Sequence, residues 1–102
     1  MRIQVLHVSD CPGAAVLTER LAQLLAGRPD VHLDRQVVTD EAQAVTLGMS
    51  GSPTLLVDGV DPFAEPGRSP SMSCRLYRDT DGHVSGEPSA AQLGRALAAA
   101  AN

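Results

Sequence analysis

The sequence predicts a single α/β domain with a mixed sheet, on three observations. Short β-branched runs alternate with helically spaced apolar runs, proline and glycine punctuate them, and the chain closes on an alanine-rich helix. Its 102 residues match the usual size of one domain and leave no room for a second, so 1–102 is expected to be one unit.

Residues 2–8 are mostly apolar and β-branched and close on Ser9, Asp10 and Pro12, the pattern of a buried strand. From Pro12 the period becomes helical. Val16, Leu17, Leu21, Leu24 and Leu25 recur at steps of three and four until Gly27 and Pro29 stop the run. A second strand is predicted over 31–38. Asp40 and Gln43 then resemble a helix N-terminal capping pair, opening a short helix that ends near Gly48. A third strand is predicted over 54–58, introduced by Pro53 and closed by Asp58 and Gly59. Residues 60–73, with Pro62, Pro66, Gly67 and Pro70, read as a long loop. Cys74 to Arg78 alternates as a strand, Asp79 to Gly82 forms a turn, and a brief fifth strand is expected near His83 and Val84. Ser89 and Gln92 form a capping box for a last helix that turns Leu93 and Leu97 to the core. Right-handed crossovers predict that the first three strands are parallel.

Composition narrows the function. The formal charge is −4, and every positive charge is a scattered arginine, so no basic stripe is available for nucleic acid. Without lysine there is no Schiff-base nucleophile and no P-loop lysine to accompany Gly48 and Gly51. The apolar start at residues 3–8 is too short for a secretory signal and no stretch reaches membrane-span length, so a cytoplasmic protein without membrane contact is expected. Two cysteines in such a chain argue against a disulfide framework. A monomer or weak dimer is expected.

Cys11 sits where a strand feeds a helix, beside unpaired amides and the positive end of the helix dipole, both of which favour a thiolate. Asp10 next to it favours the neutral thiol. The plain alternative is that Cys11 is a small buried hydrophobe.

Cys11, Pro12, Gly13, Ala14 after the first strand, with Ser52, Pro53, Thr54 opening the third, resembles the thioredoxin superfamily. The likeness is to small bacterial members with a Cys-Pro-Gly-Ala motif, some of them labelled alkylmercury lyase-like. It spans nearly the whole chain and implies a thioredoxin-like three-layer α/β/α sandwich in the order βαβαββα. It also implies that Cys11 is the catalytic thiol facing a cis Ser52–Pro53 bond, and that Pro12, Ser52 and Pro53 shape the substrate edge. The implied partner is a protein or small-molecule thiol or disulfide, with no cofactor. The chain departs from the family at Ala14, where the second cysteine of a Cys-x-x-Cys motif would stand. Cys74, an external thiol, or no redox cycle at all must replace it.

Cys74 is the second catalytic candidate. A hairpin of the third and fourth strands would start it at the far end, beyond the roughly 7 Å Cα separation a disulfide tolerates. Only a loop at 60–73 that folds back would bring Cys74 towards Cys11. A packed or separately reactive Cys74 is preferred to a resolving one. His7, His32 and His83 match no zinc spacing, and Asp79 to Gly82 lacks the closing glutamate of a calcium loop, so no metal is expected. In the long loop Asp61, Pro62, Phe63 and Arg68 offer charge and an aromatic anchor, with Phe63 a candidate substrate contact.

Three functions compete. Cys11 attacks a disulfide or electrophile, as in thiol-disulfide or monothiol redox chemistry. Alternatively the domain is a noncatalytic binding module that uses an exposed groove by Pro53 and the loop at 60–73 for a protein partner. The third reading joins Cys11, Cys74 and the nearby carboxylate of Asp10 as a set of ligands and proton donor for a soft metal or an organomercurial bond, and it requires both sulfurs to converge.

Overall fold

The chain is organised around its first strand. The computed structural model describes residues 1–101. Strand β1 (Arg2–His7) is central, flanked by β2 (His32–Val37) in parallel and β4 (Thr54–Val57) in antiparallel register, with Val5 opposite both Arg35 and Leu55. Such a strand is covered on both faces, and its residues Val5, Leu6 and His7 are buried in succession. Ile3 and Val5 enter one core cluster and Leu6 the other; Leu55 and Val57 of β4 divide from Leu56 in the same way. Helices α1 (Pro12–Leu24) and α3 (Ala90–Ala100) cover the first face through Leu17, Leu21, Leu93 and Leu97. The short α2 (Glu41–Leu47) covers the second with Ala44, beside Val38 and Met49.

The antiparallel β4 corrects the expectation of three parallel strands, and helix length explains it. The thirteen residues of α1 span about 20 Å, enough to carry the chain back along a six-residue strand and start β2 alongside β1. The seven residues of α2 span only about 10 Å. The chain therefore re-enters near the carboxyl end of β1, where Leu6 pairs with Thr54, and runs back.

The three-layer sandwich in the order βαβαββα is also corrected. Among the described residues seven strands form three small sheets: the mixed β2-β1-β4, a parallel pair and an antiparallel pair. The parallel pair joins β3 (Ser50–Ser52) to β5 (Ser71–Cys74), and the antiparallel pair joins β6 (Tyr77–Arg78) to β7 (Val84–Ser85). The run expected as one strand over 74–78 is thus split, and it makes no hairpin with β4. Residues 58–70 instead fold back, so that Ser71 pairs with Ser50 and Cys74 with Ser52.

Local chemistry follows the sequence closely. Asp40 accepts from the Gln43 amide at 2.8 Å, and Gly48 ends α2 with φ 82°. Ser89 and Gln92 complete both bonds of the capping box. Asp79 accepts from the amides of Asp81 and His83 to close the β6–β7 turn. No helix among the described residues is long and apolar enough to cross a membrane.

Candidate functional site around Cys11

Between β1 and α1 the chain turns through Asp10, whose φ of 57° lies in the left-handed region that short polar side chains tolerate. This turn delivers Cys11 to the N-cap of α1 in an extended conformation (φ −88°, ψ 108°), with Pro12 opening the helix. Among the described residues, α1 has no side-chain hydrogen bond at its N-terminus, whereas Asp40 and Ser89 cap α2 and α3. Its first turn also carries no acidic residue. The positive end of the helix is therefore directed at the Cys11 position without a capping carboxylate or hydroxyl between them.

The start of α1 is pressed against the rest of the site. A Cβ on Gly13 would stand 2.5 Å from the Gly86 carbonyl oxygen and 3.2 Å from Cδ of Pro53, so only glycine fits there. Ser52–Pro53 is a cis peptide and both residues are buried. Oγ of Ser52 accepts from the Val8 amide at 3.0 Å, and its carbonyl accepts from the Arg75 amide, also at 3.0 Å. The Tyr77 hydroxyl donates to the Pro53 carbonyl.

Behind this end lies a buried polar knot. Arg75, 2% exposed, donates from Nη1 to Asp61 at 2.7 Å and from Nη2 to the Phe63 carbonyl at 2.7 Å. Its guanidinium stacks 4.8 Å over the Tyr77 ring, and Phe63 meets that ring edge-on at 5.5 Å. Nε of Arg75 has no partner. Burial pushes the Tyr77 phenol well above its ordinary value, against the nearby Arg75 cation, which acts to lower it.

The sequence candidates are distributed unequally. Cys11 is half-buried and Pro12 exposed, whereas Ser52 and Pro53 are buried. Phe63 is half-buried in the knot. Cys74 is an exposed free thiol paired opposite Ser52, at the same end as Pro53, and it forms no disulfide with Cys11. Arg75, the residue after β5, turns towards Phe63 on the α1 side of the sheet. Cys11 packs on the α1 side. Among the described residues no group of three or more His, Cys, Asp or Glu could hold a metal ion.

The sequence reading missed the pairing of Arg75 with Asp61, the tie from Tyr77 to Pro53 and the approach of Gly13 to Gly86. A signal for the first two was present. Alternation over Cys74 to Arg78 puts Arg75 and Tyr77 on one face, and a charged residue beside a rare aromatic needs a buried acid if that face is the inner one. A scan against protein-family models, a search of curated proteins and a search of solved structures each find no match.

Proposed function

We propose that the chain is a monothiol exchange protein in which Cys11 attacks a disulfide and a small external thiol completes the cycle. The observation that carries this reading is the half-buried Cys11 at the one helix N-terminus left uncapped by a side chain among the described residues. The resemblance of Cys11 to Ala14 and of Ser52 to Thr54 to thioredoxin-superfamily motifs supports it. The Cys11 thiolate attacks one sulfur of R–S–S–R′, forming a Cys11–S–S–R bond and releasing R′–S⁻, which takes a proton from water. Ala14 has no sulfur and Cys74 is a free thiol not bonded to Cys11, so in this reading an external thiolate R″–S⁻ attacks the R sulfur, releasing R–S–S–R″ and the Cys11 thiolate. Two other readings rest on other features: the soft-metal reading on convergence of Cys74 with Cys11, and the binding-module reading on a partner surface formed by the segment at Pro53, itself buried, and the largely exposed loop 60–73.

The test is reduction of a small aliphatic disulfide by excess small thiol, followed with and without the protein. Turnover above the uncatalysed rate, abolished by Cys11→Ser and retained by Cys74→Ser, is the expected result. Equal turnover in the Cys11→Ser variant, or none in the unaltered protein, would overturn the reading.

A further inference from the structure

A second feature lies apart from Cys11. Helix α3 and the turn after β4 enclose a cleft of about 550 Å³, within the range of small-ligand sites. One wall is Val57, Val60 and Phe63, and the other is the alanine face of α3 at Ala96 and Ala99. The small alanine side chains are what leave the space. Val60 is 66% exposed, yet its backbone is fixed by reciprocal hydrogen bonds with Val57, so a constrained turn holds an apolar side chain in the open. Burial of such surface is favourable for any apolar group of matching size.

The polar groups at this cleft select the ligand further. Gln92 is already committed, with Oε1 accepting from the Ser89 amide and Nε2 donating to the Arg78 carbonyl. Arg95 lines the cleft and has no hydrogen bond or ion pair among the described residues. By contrast, Arg2, Arg20, Arg28, Arg68 and Arg75 each meet a carboxylate. Among the described residues no acidic side chain lines the cleft. An unpaired guanidinium beside apolar walls complements an anion with an apolar body, and its fork matches a carboxylate.

We propose that this cleft binds a small carboxylic acid, with its hydrocarbon part between Val60 and the alanines of α3 and its carboxylate on Arg95. The site is independent of thiol exchange and stands or falls without it.

The experiment is amide NMR titration of the full chain with octanoate, and with octanol as the uncharged match. Octanoate should give saturable shifts centred on Val60, Phe63, Ala96 and Ala99, with an affinity roughly tenfold above that of octanol. Arg95→Gln, at an exposed helical position, should bring octanoate down to the octanol level. Ala99→Leu, which fills the cleft, should weaken both ligands. Equal affinity for the two ligands, shifts centred elsewhere or absent, or an undiminished octanoate preference in Arg95→Gln would each overturn the proposal. So would shifts at these amides that follow protein concentration without ligand, which would make a second copy of the chain the occupant.

Discussion

Tyr77 shows how much of this site rests on single side chains. It is one of two aromatic residues in the chain, it is 5% exposed, and its hydroxyl holds the carbonyl of Pro53. Because burial raises the phenol in the folded state, folding favours its protonated form. The sign follows by linkage: the contribution is full below the unfolded phenol value of about 10 and is lost as pH rises from there towards the folded value. Stability measured by urea denaturation should therefore decline above about pH 10, by up to roughly 1.4 kcal/mol per pH unit from this group. Tyr77→Phe should be less stable at neutral pH, by about 1 kcal/mol for the lost hydrogen bond, and should show a shallower alkaline decline. An identical alkaline slope in the variant would refute this account of Tyr77. Gly13 is equally constrained, since the Gly86 carbonyl occupies the place of any Cβ.

Loop 58–70 is held by the Arg75–Asp61 pair, which closes a segment containing three of the seven prolines. Both side chains are at least nine-tenths buried, so removing one leaves the other charged and without water. Asp61→Ala should cost about 3 to 5 kcal/mol in chemical denaturation, and Asp61→Ala with Arg75→Met should recover much of that loss. A loss below about 1 kcal/mol would mean that the pair does not anchor the loop. Elements whose limits depend on local chemistry were legible in the sequence. Asp40 with Gln43, Ser89 with Gln92, Gly48 and the Asp79 turn all act within four residues of the chain they organise. Strand partnership was not legible, because it depends on distant segments. The return of Ser71–Cys74 to Ser50–Ser52 rests on an acid fourteen residues from Arg75, a separation no periodicity encodes. The reversal of β4 had a local cause in the shortness of α2, although its consequence appears only when helix and strand lengths are compared in space.

In the molecule as a whole, the carboxyl end of β1, the start of α1, Pro53 and Tyr77 meet at one end, with Cys11 the half-buried thiol among them. The resemblance of the Cys11–Ala14 and Ser52–Thr54 motifs implied Cys11 and Pro53 as chemical partners, while the burial of Ser52 and Pro53 depends on how β5, β6 and the Gly86 segment close over them. The two cysteines offer an internal comparison, because Cys74 is the more exposed while Cys11 has the helix N-terminus. Accessibility alone would make Cys74 the faster to react. The most direct measurement is therefore time-resolved mass spectrometry of the native protein mixed with an aromatic disulfide, with mixed-disulfide formation assigned to each residue. Cys11 should be modified roughly tenfold faster than Cys74. Modification of Cys74 first, with Cys11 unreactive until the protein is unfolded, would contradict the assignment of Cys11 as the working thiol.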